Sequence, residues 1–295
     1  MPEFPEITVY IEALAERIYG AELHGIRLAS PFVLRTAEPG IQELIGRRVT
    51  GFVRLGKRIA ISLEGDYHMV IHLMIAGRLK WNNAGRKIPG KLGLVAFDFN
   101  TGTVVVTEAS QKKRAALHLV KGENVLRAHH PGGLEVFDVD FDAFRVALTQ
   151  QNRTIKRTLT DQRILSGIGN AYSDEILHRA RISPMRQVKY LDEGDWQRLF
   201  ESTRATLMEW TNRLRAKSAG KFPEKVTAFH PEMAVHGKYK EPCPNCGQPV
   251  QRVRYASKDC NYCAQCQNQG NLLADRRLSR LLKKDWPKTL EELDA

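Results

Sequence analysis

The chain has 295 residues, 42% of them hydrophobic, and its 45 Lys and Arg against 33 Asp and Glu give a formal net charge of +12. The length predicts two domains with sizeable cores, and the composition excludes a disordered chain. No apolar run reaches the ~18 residues of a membrane span. The positive charge favours a polyanionic partner, most often nucleic acid; a basic soluble enzyme and a protein that meets an anionic membrane surface are the alternatives.

The first six residues, which read MPEFPE, contain candidate chemistry. Because Pro is small, we expect Met1 to be removed, which leaves a secondary amine on Pro2 beside the Glu3 carboxylate. An α-amine has a pKa near ~8, against ~10.4 for Lys, so it is partly unprotonated at neutral pH. Its attack on an aldehyde-level carbon gives an iminium, which is an electron sink. An inert leader is the alternative, since such starts are common.

The start of the chain also predicts a cytosolic location. Glu3 and Glu6 stand where the basic region of a signal peptide would lie. In that reducing compartment, five cysteines, four of them in one tight cluster, indicate a metal site rather than disulfides. We therefore expect a cytoplasmic protein, and we expect it to be a monomer.

Apolar spacing predicts a helix over residues 6 to 19, where Ile7, Ile11, Leu14 and Ile18 form one stripe. From residue 21 to about 127, short β-like segments follow one another, separated by turn residues. Regular short strands favour an antiparallel sandwich or barrel. The candidate strands are Val49–Val53, Arg58–Leu63, Met69–Met74, Leu92–Phe99 and Thr103–Thr107.

The second half of the chain changes to a helical pattern. A Pro- and Gly-rich stretch at 129–133 predicts a linker, and residues from about 140 to 215 have helical periodicity. The predicted fold class is therefore α+β and multidomain. We expect an N-terminal β-sandwich catalytic domain with a flanking helix at 2–130, a helical domain at 131–235, a Cys₄ finger hairpin at 236–270 and a tail at 271–295.

Two further segments lack a functional assignment. Residues 216–232 lose helical periodicity and predict a mobile loop. In the tail, Leu273, Leu278, Leu281 and Leu282 predict one amphipathic helix.

Two Cys-x-x-Cys knuckles, Cys243 with Cys246 and Cys263 with Cys266, are separated by sixteen residues. Each knuckle turns two sulfurs toward one point, and two knuckles complete a tetrahedral site suited to Zn²⁺. Because all four positions are filled by protein, we expect one structural zinc; an iron–sulfur cluster is the alternative. We interpret the fifth cysteine, Cys260, as a bystander.

The stretch between the knuckles predicts a small β-hairpin. It carries Arg252, Arg254 and Lys258, and a rigid hairpin that bears cations suits a phosphate or a groove. A solvated charged face is the alternative interpretation.

A second candidate phosphate site lies at residues 167–170, which read Gly-Ile-Gly-Asn before a helical segment. A turn of this kind exposes backbone N–H groups and a helix N-terminus, and Asn170 adds a side-chain donor. A turn that serves only packing is the alternative.

Four motifs in order resemble those of the Fpg/Nei family of DNA glycosylases, and together they cover roughly residues 2 to 267. The resemblance implies an N-terminal β-sandwich, a helix-two-turn-helix domain and a zinc finger. It also implies excision of a damaged base, with oxidised bases as the expected class, followed by cleavage at the abasic site. The motifs are the MPExPE start; Gly56-Lys57 with His72-Leu73 and Ala76–Leu79; Gly167–Leu177 with Ile182-Ser183-Pro184; and the Cys₄ finger that ends in Cys266-Gln267.

The resemblance assigns catalytic roles at the N-terminus. Pro2 would attack C1′ of the damaged nucleotide, and the resulting iminium would permit β,δ-elimination at the abasic site. Glu3 would act as a general acid/base around the sugar and the leaving base, and Glu6 would order the site. Lys57 would neutralise the phosphate that flanks the lesion.

The resemblance also assigns contacts with DNA. Asn170 and the hairpin with Arg252 and Lys258 would hold backbone phosphates on a kinked duplex. Either Met74 or Ile75 would be the apolar wedge that fills the vacated stack, since Ile75 falls at the family's usual Met position. The segment at the place of the family's intercalation loop lacks its Phe and keeps the cations Lys112, Lys113 and Arg114.

The expected partner is double-stranded damaged DNA, with single-stranded DNA as a further candidate. A non-catalytic protein that binds damaged DNA is the alternative function. A zinc-ribbon RNA-binding protein explains less, because it leaves the N-terminus without a role. The lesion stays open among oxidised purines, oxidised pyrimidines and bulkier adducts.

Overall fold

The computed structural model describes residues 1–224, 226–255, 258–275 and 287–294. The chain forms two compact units, Met1–Pro131 with Trp210–Ala228, and Gly132–Glu209 with Phe229–Ala295. Within the described residues, no helix combines the length and the apolar character that crossing a membrane requires. The predicted four-part division stays a prediction, but it placed 210–228 in the helical domain, whereas these residues group with the first unit.

The first unit opens with a helix and continues as eight antiparallel strands in two sheets of four. In one sheet the strand order is β1-β6-β7-β5, and in the other it is β2-β3-β4-β8. Two short 3-10 turns, Pro31–Val33 and Ile41–Glu43, lie between β1 and β2. The elements are α1 (Phe4–Ile18), β1 (Leu23–Leu28), β2 (Val49–Leu55), β3 (Arg58–Leu63), β4 (Tyr67–His72), β5 (Gly77–Asn82), β6 (Gly93–Phe99), β7 (Gly102–Glu108), β8 (Ala116–Lys121) and α2 (Glu123–Ala128).

The inner faces of both sheets contribute to one hydrophobic core, because residues of alternate positions on each strand point to the same face. Ile59 and Ile71 come from one sheet and Phe97 and Val104 from the other. The apolar stripe of α1 joins the same core, and its Leu14 is fully buried. The predicted α+β class is confirmed. The sequence patterns missed β1, β5 and β8, and β4 begins two residues before the predicted strand.

The second unit holds helices and the cysteine-rich hairpin. The Asp140 side chain caps the first of its helices by accepting from the Ala143 N–H at 2.9 Å. The elements are α3 (Phe141–Thr149), α4 (Ile155–Thr160), α5 (Asn170–Ala180), the 3-10 turn Val188–Tyr190, α6 (Glu193–Ser218), β9 (Gln251–Tyr255), β10 (Lys258–Tyr262), α7 (Ala264–Asn268) and α8 (Leu290–Asp294). The part of α6 from Trp210 onward groups with the first unit.

The structure corrects the predicted start of the loop, whereas most of the predicted tail helix lies outside the described residues. The predicted loop at 216–232 begins too early, because α6 continues to Ser218. Val226 is buried in the core of the first unit, and Phe222 packs against that core. The predicted tail helix falls mostly on Leu278, Leu281 and Leu282, which lie outside the described residues.

Candidate active site and nucleic-acid interface

The N-terminus is held in place by the first turn of α1. Glu3 is the N-cap residue, and its backbone N–H donates to Glu6 Oε2 at 2.8 Å. Pro5 fits this first turn because an N–H there would have no partner within the helix. Pro2, Glu3 and Glu6 are all buried, with 3% of Glu3 and none of Glu6 exposed. The candidate amine and both carboxylates are therefore fixed rather than mobile.

Charges of both signs surround the N-terminal amine. Burial lowers the pKa of the Met1 α-amine; Glu3 and Glu6 act to raise it, and Arg78 and Lys57 act to lower it further. Removal of Met1 would place the amine on Pro2, one residue deeper. Burial of the Met1 amine favours its unprotonated form, which is the nucleophilic one.

Each of the two cations is positioned by a strand end. Lys57 is 8% exposed and follows Gly56, whose φ of +63° suits the tight β2–β3 turn. Arg78 is the second residue of β5 and was missed as a site residue. Arg78 lies within the Ala76–Leu79 motif, so the sequence contained a signal for it. The local pattern does not show that β5 brings the Arg78 side chain near the N-terminal amine.

The turn between β4 and β5 presents one apolar side chain to solvent. The Gly77 N–H donates to the Leu73 carbonyl at 2.9 Å. A Cβ at Gly77 would lie 2.2 Å from that oxygen, so only glycine fits there. Met74 has a φ of +54° and is partly buried, whereas Ile75 is 60% exposed. Of the two candidate wedges, Ile75 is the more accessible.

The basic loop that precedes β8 is anchored on one buried carboxylate. Glu108, 1% exposed, accepts from the Arg114 N–H at 2.8 Å, the Ala115 N–H at 2.9 Å and the Ser110 hydroxyl at 2.6 Å. The Lys113 ammonium donates to the Glu108 carbonyl. Lys112, Lys113 and Arg114 are exposed. The loop therefore holds its cations at the surface on a fixed base.

In the second unit, Asn170 joins α5 to the hairpin. Its Nδ2 donates to the Asp259 carbonyl at 2.8 Å, so this amide is engaged by the protein itself. Arg252 lies 3.3 Å from the Asp259 carboxylate and stacks over the Tyr239 ring at 4.2 Å. Lys258 begins β10, and its side chain lies outside the described part of the structure.

A cavity of about 530 Å³ opens beside Asn170. Its lining includes three basic residues of the α4 region, Arg153, Lys156 and Arg157, together with Cys260 of β10. Arg157 is exposed, whereas Arg153 pairs with Asp161 at 3.0 Å. This concave basic surface suits a phosphate backbone.

Two consecutive carboxylates of α5 connect it to the finger, and the sequence patterns missed both. Asp174 is 1% exposed and lies 2.5 Å from the Lys156 ammonium and 2.7 Å from a ring nitrogen of His236. Burial acts to raise the pKa of Asp174, but Lys156 and His236 hold it below its usual range. Glu175 accepts three backbone N–H groups at 2.8 to 2.9 Å, from Ala234, Val235 and His236.

The four cysteines form a metal-ligand geometry. Their sulfurs all lie within 4.8 Å of one another, with Cys246 and Cys263 3.4 Å apart. A tetrahedral site with Zn–S bonds of ~2.3 Å would separate its sulfurs by roughly 3.8 Å, so the set fits zinc. A ring nitrogen of the buried His178 lies 3.2 Å from Cys243 Sγ, as an outer-shell partner would.

Comparisons with known proteins agree with this geometry. Residues 1–117 match the model of the formamidopyrimidine-DNA glycosylase N-terminal domain, and residues 133–217 match the model of the H2TH domain of the same enzyme. A formamidopyrimidine-DNA glycosylase of Heliobacterium modesticaldum is 32% identical over 281 residues, which cover 90% of this chain and 100% of that protein. The chain belongs to the formamidopyrimidine-DNA glycosylase family. The predicted family resemblance is thereby confirmed.

Other members of the family show the same similarity. An uncharacterised formamidopyrimidine-DNA glycosylase-like protein of Mycobacterium tuberculosis is 40% identical over 152 residues, covering 51% of this chain and 94% of that protein. The structure of Lactococcus lactis Fpg in complex with abasic-site DNA superposes with a TM-score of 0.79 at 25% identity, covering 90% of this chain and 99% of that one.

Proposed function

We propose that this protein is a bifunctional DNA glycosylase and abasic-site lyase that removes damaged, mainly oxidised, bases. The observation that carries the proposal is the buried N-terminus, where Glu3, Glu6, Lys57 and Arg78 surround an amine whose pKa burial lowers. A protein that only binds DNA needs no such amine. Family membership supports the reaction class.

The chemistry begins once Met1 has been removed. The Pro2 nitrogen attacks C1′ of the damaged nucleotide, the bond from C1′ to the base breaks, and the base leaves with the bonding electron pair and a proton. The C1′–O4′ bond then breaks, O4′ takes up a proton from Glu3, and an iminium forms between Pro2 and C1′. Loss of the C2′ proton then expels the 3′ phosphate, a second elimination expels the 5′ phosphate, and hydrolysis of the iminium restores the amine.

Different side chains around the amine transfer protons and stabilise charge. Glu3, next to the amine and buried, exchanges protons with the sugar and the leaving base. Glu6 fixes the first turn by accepting the Glu3 N–H at 2.8 Å. Lys57 stabilises the phosphate that becomes the leaving group, and Arg78 adds a second positive charge.

DNA contacts come from both units. Ile75, 60% exposed, is the wedge that we favour over Met74, and Lys112, Lys113 and Arg114 follow the neighbouring backbone. In the second unit, Asn170, Arg252 and Lys258 would hold further phosphates. Solved Fpg relatives are described in complex with abasic-site DNA, with Fapy-dG DNA and with an oxidised pyrimidine. We infer that extrahelical damaged nucleotides of this class are the substrates here.

The Cys₄ set would hold one structural Zn²⁺. With four protein ligands the site has no open position, so the metal supplies rigidity to the hairpin rather than a reactive water. We place the monomeric protein in the cytoplasm, where reduced thiolates are available to the metal.

Borohydride trapping tests the proposal. Protein that begins at Pro2, carrying any tag at its C-terminus, should form a stable covalent complex with an abasic duplex when the iminium is reduced. The same protein with one additional N-terminal residue should bind the duplex and fail to trap. Binding without trapping by both forms would instead support the alternative, a non-catalytic protein that recognises damaged DNA.

A further inference from the structure

A second group of basic side chains lies on the outer face of the β2-β3-β4-β8 sheet. Arg58 of β3 and His72 of β4 are direct cross-strand partners. His118 of β8 is opposite Val70, two residues along β4 from His72, and therefore on the same face. These side chains lie at one end of the outer face, and Arg58 directly follows Lys57 in the sequence.

Helix α2 brings a third histidine to this end. Leu126 packs on the outer face against Val70 and Val120, which fixes the helix there. His129 follows α2, and its ring centroid is 4.7 Å from that of His118. The Arg58 guanidinium donates to the His129 carbonyl. The three segments thus bring Arg58, His118 and His129 together.

No acidic side chain of the described residues shifts the pKa values of this cluster. Among the described residues Arg58 forms no ion pair, although it is only partly exposed. Burial lowers the pKa of Arg58. Burial first, and then the neighbouring His129, Arg58 and Arg35, together lower the pKa of His118 to about 4.

The other two histidines have the same kind of surroundings. Burial and then Arg58, Lys57 and His118 lower the pKa of His72 to about 4. Burial and Arg58 lower the pKa of His129. Within the described part of the chain, the charged neighbours that shift these pKa values are all basic, so they oppose protonation of the three histidines.

We propose that Arg58, His118 and His129 form a phosphate site beside Lys57 that takes up a proton when it binds a phosphodiester of DNA. The inference rests on the proposed function only in that DNA supplies the phosphate. An anion among these groups adds attractions that offset their mutual repulsion. It pairs with the guanidinium and favours the imidazolium form of the histidine nearest to it.

The direction of the pH dependence follows from the pKa change on binding. The protonated site binds phosphate better, so its pKa is higher in the complex than in the free protein. Affinity therefore rises as pH falls through the pKa of the complex, and it levels off near the free value of about 4 for His118. Each proton taken up gives a gain of up to about tenfold for each pH unit within this window.

Two measurements on the wild-type protein test the uptake directly. Affinity for a duplex that contains a stable abasic analogue is measured by fluorescence anisotropy from pH 8 to pH 5.5 at fixed ionic strength. Calorimetry at pH 6 in buffers of different ionisation enthalpy counts the protons. We expect a clear gain in affinity toward low pH and net proton uptake; no uptake would overturn the proposal.

Variants locate the effect. The double variant H118Q/H129Q keeps polar side chains that cannot become charged, and it should flatten the pH dependence and reduce proton uptake. The matched control is H24Q, since the His24 side chain of β1 is 54% exposed and lies beside Glu22. It should leave both measurements unchanged. Equal pH dependence in wild type and H118Q/H129Q would overturn the assignment.

Arg58 provides an independent readout. R58Q should weaken binding at all pH values and reduce the slope of log affinity against log salt by about one. An unchanged slope would remove Arg58 from the site.

The source of the phosphate is tested with inorganic phosphate alone, by following the His118 and His129 imidazole resonances in NMR. We expect only weak shifts without saturation at millimolar phosphate. Saturable binding that DNA does not displace would assign the site to free phosphate and overturn the DNA assignment.

Borohydride trapping separates the proposed phosphate site from the proposed lyase activity. Intact trapping without proton uptake would remove the phosphate site alone, and proton uptake without trapping would remove the lyase activity alone.

Discussion

The buried charges at the N-terminus and those around α5 are arranged differently. At the N-terminus, charges of both signs surround the Met1 amine. Glu3 and Glu6 act to raise its pKa, whereas Arg78 and Lys57 act to lower it. Around α5, Asp174 and Glu175 are matched by an ammonium, an imidazole and three backbone N–H groups. The first arrangement shifts the pKa of an amine, and the second fixes one segment of chain against another.

This difference predicts which substitutions change chemistry and which change binding or stability. Substitutions at the N-terminal site should reduce turnover while the fold and DNA affinity persist. Substitutions around α5 and the finger should change stability or affinity in proportion to the contacts that they remove.

The largest effect is expected for the metal ligands. Cys263 is fully buried, and C263S should prevent the four-cysteine set from holding the proposed zinc and should unfold the hairpin, because metal binding in such fingers supplies about 10–16 kcal/mol. DNA affinity should then fall by orders of magnitude. Metal content by mass spectrometry and anisotropy measure the two effects. C260S is the matched control, and it should retain one zinc per chain; zinc loss in C260S would make Cys260 a ligand.

The next largest effect is expected at Glu3. E3Q removes the proton exchange but keeps the shape of the side chain, so base excision should slow by about 10²–10⁴-fold. Affinity for an abasic analogue should stay within about twofold. Single-turnover excision assays with E16Q as the control, a 66% exposed position on the same helix, provide the comparison. Excision at the wild-type rate in E3Q would contradict a proton-transfer role.

Around α5 the expected change is in stability. D174N leaves the partly buried Lys156 ammonium without its charged partner at 2.5 Å, and it should destabilise the protein by about 3–5 kcal/mol. The control is E193Q, which breaks the exposed pair of Glu193 with Arg145 and should change stability by less than about 1 kcal/mol. Urea unfolding measures both variants. Equal losses in the two would show that the Asp174 contacts are no stronger than a surface pair.

The same contrast explains how much the sequence alone predicts. The strands β3, β6 and β7 were predicted because their apolar runs are continuous, and Pro2, Glu3 and Lys57 lie in short local motifs. Strand β5 was missed although Leu79 and Trp81 alternate with Arg78, Lys80 and Asn82, which is itself the pattern of a half-buried strand. The helix α6 passes residue 216 because good helix formers continue after its apolar stripe ends.

Site residues that depend on distant partners were not predictable from local patterns. Asp174 meets His236 across 62 positions of sequence and Asn261 across 87. Arg78 joins the N-terminal site only because β5 pairs with β7. No spacing rule within a short window contains these pairings, since they are set by tertiary packing.

The smallest expected effect concerns the apolar wedge, where Met74 and Ile75 are neighbouring candidates. Ile75 is 60% exposed, so I75A should leave stability nearly unchanged, and it should weaken binding to a duplex with an extrahelical lesion by about 1.5–3 kcal/mol if the side chain is buried in DNA. V146A, at a 64% exposed position on α3, is the control and should bind as the wild type does. Because Met74 is partly buried with a φ of +54°, M74A should affect stability before binding. Weaker binding by M74A and unchanged binding by I75A would assign the wedge to Met74 instead, and the turn would then have to rearrange when it meets DNA.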